Sequence, residues 1–281
     1  MRVPRTALIT ALLGLVLVGC GSSDQTVTEP GAPASSAGDE LVVLEDDLSL
    51  QTVDNIVGII RTEKLTPPAQ EAIEKVTAAL TTDELVGLNR KVDLERKTPA
   101  AVAKDYLESE SLASGVSGGS GALVVGAAGF SENQILANLF AGALDAAGFD
   151  ASVKNVTNRE VYAPALESGQ LDVFPEYVGT LTEFFNKKAS GPDAPAKASS
   201  DLAATTTALR ALAEPRGLTV LEPSEAADQN AFAVTKAFAD AHSLTKLSDL
   251  KGFTGDLVLG GPPECPTRPF CQPGLEKTYG I

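Results

Sequence analysis

The chain is 281 residues long, carries 22 Lys and Arg against 37 Asp and Glu, and has a formal net charge of −15. It holds no basic cluster able to neutralise a row of phosphates, which argues against nucleic acid as a partner. Its length suits one large or two modest domains with a sizeable core, and acidity of this degree favours solubility without naming a ligand.

Arg2 and Arg5 precede an apolar run over residues 7–18, which closes on Leu17-Val18-Gly19-Cys20. This is the layout of a secretory signal ending in a lipobox. Residues 1–19 are then removed and Cys20 takes lipid, with two or more acyl chains anchoring stably where one would not. The apolar run is too short to span a bilayer as a mature helix. Residues 20–40, rich in Ser, Thr, Pro and Gly, read as a flexible tether. The expectation is a lipid-anchored protein on the extracytoplasmic face of the cell membrane.

Short apolar runs predict strands at 41–44 and 56–60. Three helix starts follow. Thr66 and Thr98 each precede a proline at the first helical position, and Thr81 with Glu84 has the spacing of a capping box. Residues 113–121 read as a Ser/Gly linker by composition. Beyond it come a strand at 123–126 and a helix opening at Ser131, with Gln134 as the box partner and Ile135, Leu136, Leu139, Phe140 and Leu144 on one face. A helix N-terminus just past the carboxyl end of a strand is where open α/β sheets bind ligands. The pattern continues with a helix at 160–168, a strand at 171–174, a mobile loop over 187–200, a helix at 202–212, a strand at 231–234, a helix at 236–241 and a strand at 257–260.

Cys265 and Cys271 are an even pair in an exported chain and point to a disulfide. The single histidine, His242, ends a predicted helix, where its charge complements the C-terminal dipole. No nucleophile elbow, metal-ligand spacing or nucleotide motif occurs, so neither an enzyme nor a metal or cofactor is implied.

Several stretches in order carry a family likeness: Val-Val-Gly-Ala-Ala-Gly-Phe-Ser-Glu-Asn-Gln-Ile-Leu (124–136), Asn-Arg-Glu-Val-Tyr-Ala-Pro-Ala-Leu-Glu-Ser-Gly (158–169), Asp-Val-Phe-Pro-Glu-Tyr-Val-Gly-Thr (172–180), Gly-Gly-Pro-Pro-Glu-Cys-Pro-Thr-Arg-Pro (260–269) and Pro-Gly-Leu-Glu-Lys-Thr-Tyr-Gly (273–280). They resemble the substrate-binding lipoproteins of ABC importers that capture glycine betaine, choline and related osmoprotectants. Leu-Val-Val-Leu-Glu-Asp-Asp (41–47), with the helices after residues 80 and 99, resembles the C-terminal part of the same family, so the two halves stand in swapped order. The resemblance implies an α/β, two-lobed, type 2 periplasmic-binding-protein fold, circularly permuted and with an incomplete second lobe. Residues 41–111 and 122–180 would form lobe one, joined by the linker at 112–121, and residues 181–281 would form lobe two.

The likeness also implies a ligand site and partners. Tyr177 matches a pocket aromatic of the family and Tyr162 follows its Arg-Glu motif. Asn133 stands where many relatives have Gln, while Asn230 and Asp54 stand where aromatics are usual, which gives a more polar cage. Arg159 and Arg268 are candidate anion contacts, or else hinge or surface ion pairs. The partners would be a small quaternary amine or other polar solute, an ABC permease and its ATPase. The alternative is a cell-surface scaffold that no longer imports anything.

Overall fold

The computed structural model describes residues 40–281. The expected signal segment, Cys20 and the tether up to residue 39 lie outside the described residues. The main sheet is built from β2 (Ile56–Arg61), β3 (Ala122–Ala127), β4 (Asp150–Asn155), β5 (Val173–Tyr177) and β6 (Leu218–Val220), in the order β4-β3-β5-β2-β6. β3 runs parallel to β4 and β5, and β2 runs antiparallel to β5 and β6. The first five residues of β2, Ile-Val-Gly-Ile-Ile, are all buried, so both faces of the strand need cover. Alternation divides them: Ile56 and Ile60 enter one core, Val57 and Ile59 the other.

The first core lies beneath α1 (Pro67–Ala79), α2 (Thr82–Asp93), α3 (Pro99–Ser109) and α4 (Ser131–Ala147). The three caps read from sequence form: Thr66, Thr81 and Thr98 accept from the amides of Ala69, Glu84 and Ala101, and Glu84 closes the box on Thr81. α4 packs against the other three helices, with Ile135, Leu136, Leu139, Phe140 and Leu144 fully buried. The expected box at Ser131 and Gln134 is not made. Phe130 is the N-cap, and the Ser131 hydroxyl donates instead to Asp93 Oδ1 at 2.6 Å, at the end of α2.

The second core lies on the opposite face, under α5 (Arg159–Glu167), α6 (Val178–Ser190) and α7 (Leu202–Ala213). The loop expected over 187–200 is shorter and better held than its composition suggests. α6 continues to Ser190, and the amide of Ala198 donates to the buried Glu183 carboxylate at 2.7 Å.

A small lobe stands apart from this sheet. β1 (Leu41–Val43) pairs antiparallel with β7 (Ala233–Thr235), followed by α8 (Lys236–His242), and a third apolar cluster joins Leu44 and Leu50 to Leu247, Phe270, Leu275 and Tyr279. Asp46 clasps this lobe: its carboxylate accepts from the amides of Leu50 and Gln51 and from the Tyr279 hydroxyl, and that hydroxyl accepts from Leu48 N at 2.8 Å. Two of the expected boundaries therefore move. β1 belongs with the C-terminal residues because Leu44 and Leu50 are buried among them. Residues 181–220 belong to the main lobe because α6 and α7 cover the second core and β6 forms the sheet edge beside β2. The strand expected at 257–260 is absent; Leu257, Val258 and Leu259 are exposed and pair with no strand among the described residues.

Residues 113–121 close up against α1 and α4. Lys75 Nζ donates to the carbonyls of Ser111 and Ser114, and Gly119 N donates to Ala147 O at 2.9 Å. Cys265 and Cys271 are bonded, with their Cα atoms 5.2 Å apart. Among the described residues no helix is long and apolar enough to cross a membrane.

Candidate functional site

Two chain crossings join the lobes, one just before β2 and one between β6 and β7. They touch at a bridge between Asn55 and Ala227, and Asp228 N donates to Asp54 O at 3.0 Å. A cleft of about 830 Å³ opens beside them, bounded by the carboxyl end of β5, the first residues of α5, one side of α6 and the disulfide loop.

The floor is an ion pair turned inward. Arg159, the first residue of α5, donates through Nε to Glu176 Oε1 at 2.9 Å and through Nη2 to Oε2 at 2.8 Å, and the same Nη2 reaches Thr180 Oγ1 at 2.8 Å. The Tyr162 hydroxyl donates to Glu176 Oε1 at 2.7 Å, and the Tyr177 amide donates to Oε2 at 2.9 Å. Glu176 is thus fully satisfied, which a buried carboxylate requires. Burial opposes the charge on Arg159, but Glu176 beside it outweighs burial and holds the guanidinium well above its ordinary pKa. Tyr162 is pinned from behind by stacking on Phe174, with ring centroids 3.8 Å apart.

The wall above carries carboxylates without cations. Asp54 lines the cleft and accepts from Thr180 N at 2.9 Å, and burial raises its pKa from 3.8 to about 7. Gly179 makes this contact possible, because a β-carbon there would collide with Val53 O and the Thr52 side chain as the first crossing passes over the start of α6. Glu132, in the first turn of α4, accepts from the Tyr177 hydroxyl at 2.9 Å and from Asn89 Nδ2 at 2.7 Å. Burial, and then the charge of Asp228, push its pKa from 4.5 to about 7. Asp228 is exposed to solvent in the cleft, yet the surrounding walls partly desolvate it and raise its pKa also. Among the described residues no Lys, Arg or His nitrogen lies within ion-pair distance of Asp54, Glu132 or Asp228. Aromatic rings face the same space: Phe130 stacks near Tyr177, with centroids 6.3 Å apart, and Phe184 and Phe232 also line the cleft.

Of the residues singled out from sequence, Tyr177, Tyr162, Asp54, Arg159, Asn230 and Arg268 all line this cleft. Arg268 sits at the rim, 3.4 Å from both carboxylate oxygens of Glu160. Asn133 does not line it. Its side chain is fully buried behind the wall, accepting from Ala128 N at 2.7 Å and donating to Pro175 O at 2.9 Å, so it braces the two strand ends that frame the site. Sequence reading missed Glu132, Glu176, Asp228, Phe130, Phe184 and Phe232. Glu132 and Glu176 lay inside the family-like stretches and Asp228 outside them, and nothing local marked these acids or the three phenylalanines as meeting at one site.

The sequence profile described as the substrate binding domain of ABC-type glycine betaine transport system matches residues 31–109 and 121–281. The chain belongs to this family, whose members bind substrate for transport and are not enzymes. Its mixed α/β architecture is that of type 2 periplasmic binding proteins. It is similar to a glycine-betaine-binding protein of Pseudomonas aeruginosa, 30% identical over 168 residues, which is 57% of this chain and 51% of that protein. The chain thus spans about half the length of the curated relative it matches. Among solved structures it is similar to Haemophilus influenzae OppA in complex with the peptide RPPGFSPFR, with a TM-score of 0.33 and 11% identity over 70% of this chain and 45% of that one. It is also similar to Brucella suis NikA in complex with Fe(III)-EDTA, with a TM-score of 0.34 and 12% identity over 84% of this chain and 56% of that one.

Proposed function

We propose that the cleft captures a small quaternary amine, such as glycine betaine or choline, outside the membrane and passes it to an ABC permease driven by its ATPase. The observation that carries this reading is the meeting of aromatic faces with uncompensated carboxylates in one cleft. A quaternary ammonium donates no hydrogen bond, so a site must hold it by ring faces and nearby negative charge, at roughly 0.5 to 2 kcal/mol per good cation–π contact. Tyr177 and Phe130 supply faces, Asp54 and Asp228 supply charge at the lining, and Glu132 adds its charge from behind Tyr177. Arg159 and Tyr162 act through Glu176, holding the floor rather than the ligand, and Asn230 and Arg268 meet the ligand from the rim. Family membership and the glycine-betaine-binding relative support the same class.

Calorimetry against glycine betaine, choline, carnitine and proline betaine tests the reading. Saturable binding of at least one is expected, and no heat with any of the four would refute it. Anchoring at Cys20 belongs to the same proposal. Labelled fatty acid should enter the wild-type chain and not Cys20→Ala, and equal labelling of both would remove the anchor.

A further inference from the structure

The cleft is longer than a quaternary amine needs, and its two ends differ in charge. One side of α6 forms its long wall. Thr180, Glu183, Phe184, Lys187 and Lys188 all line the cleft, and their spacing of three, four and seven places them on one helical stripe. From Thr180, beside Asp54 and Tyr177, to Lys187 is about two turns, or about 10 Å along the axis at roughly 1.5 Å per residue. The near end therefore holds the aromatic and acidic groups already described, and the far end holds two ammonium groups.

Those ammonium groups are free to act. Neither Lys187 nor Lys188 has a hydrogen-bond or ion-pair partner among the described residues, although Lys188 stands over the Phe184 ring at 5.0 Å. Their place in the last turn of α6 suits the negative end of the helix dipole, but that field occupies none of their donors. The acid between the two ends does not neutralise them. Glu183 spends one oxygen on the amides of Lys197 and Ala198 and faces Asn186 Nδ2 with the other. The other two arginines lining the cleft are already engaged, Arg159 by Glu176 and Arg268 by Glu160.

We infer that the cleft takes a quaternary amine extended by an anionic phosphoester tail, with the ammonium held near Tyr177 and Asp54 and the phosphate held by Lys187 and Lys188. The inference rests on the quaternary-amine reading above and narrows it. A volume of about 830 Å³ lies in the range that encloses drug-sized molecules rather than one the size of choline. A phosphoester sets its anionic oxygens further from the nitrogen than the carboxylate of glycine betaine is, so it reaches further along the α6 stripe towards the two flexible lysine side chains.

The test is calorimetry of the full chain with choline, glycine betaine, sn-glycero-3-phosphocholine and sn-glycerol 3-phosphate, for wild type and the double variant Lys187→Gln, Lys188→Gln. Glycerophosphocholine should bind about tenfold tighter than choline to wild type, as a charge-assisted phosphate contact implies. That advantage should fall to within about twofold in the double variant while choline affinity stays unchanged. Equal affinity for choline and glycerophosphocholine in wild type would overturn the inference and leave the quaternary-amine reading standing. Equal weakening of both ligands in the double variant would also overturn it, and an unchanged melting temperature of that variant excludes misfolding as the cause. Tight binding of glycerol 3-phosphate with no binding of choline, or no binding of any ligand carrying a quaternary amine, would sink the reading beneath it.

Discussion

Tyr177 serves two surfaces at once: its ring faces the cleft beside Phe130, and its hydroxyl donates to Glu132 behind. Tyr177→Ala should therefore weaken binding of the quaternary amine by about ten- to thirtyfold, the scale of one or two lost ring contacts. Unchanged affinity on titration would remove the residue from the site. The acids beside it set a pH dependence. Asp54 and Glu132 have ordinary values of 3.8 and 4.5 but are raised to about 7 by burial, so below that pH they are largely neutral in the folded chain. A fixed cation prefers their ionised forms, so its affinity should rise several-fold between about pH 6 and pH 8. The folded state also holds these protons more tightly than the unfolded chain does. Their contribution to stability is therefore present at about pH 4 and lost as pH rises towards 7, and Asp54→Asn should flatten that decline in urea titrations. Single residues were legible where a motif matched, as with Tyr177. Glu132 and Asp228 were not, because their meeting depends on a tertiary crossing that joins α4 to the segment after β6.

Secondary structure was legible where the chain carries its own stop and start signals. Thr66, Thr81 and Thr98 cap their helices as expected because each cap is a bond between residues three apart. Ser131 fails that rule because the helix starts one residue early: Phe130 takes the N-cap position, and Ser131, already inside the first turn, turns its hydroxyl to Asp93 of another helix. The run at 257–260 fails for a different reason: it has strand composition, but no neighbour among the described residues to complete a ladder. The start of α6 shows how closely elements depend on one another. Gly179 lets the first crossing lie against α6, so Gly179→Ala should push Asp54 away from Thr180 N and cost about 1 to 3 kcal/mol, as overpacking does. A chemical melt would measure the loss. Stability and ligand affinity both at wild-type levels would show that the crossing can shift freely.

For the whole molecule, the two segments flanking residues 113–121 contribute to one core: α1, α2 and α3 from the first segment cover α4 from the second. Proteolytic cutting within 113–121 should leave the fragments associated on size exclusion, because the apolar interface is untouched and only the tether is lost. Separation, with the second fragment still folded, would show residues 41–111 to be an independent domain. The lobe boundaries were harder to read than the helices because strands far apart in sequence, β1 with β7 and β2 with β5 and β6, are neighbours in space. The pairing of β1 with β7 carries this furthest. Leu41 stands at the start of the described chain, yet its partner Thr235 lies beyond β6 and the Tyr279 that clasps Asp46 lies further on still. The main sheet is complete in sequence once β6 has been reached, whereas the first strand finds its partner only in β7, beyond that sheet. The main sheet can therefore form without the small lobe, whereas the cleft needs both, because its lining draws on Asp54 and Tyr177 from one side and Phe232 and Phe270 from the other.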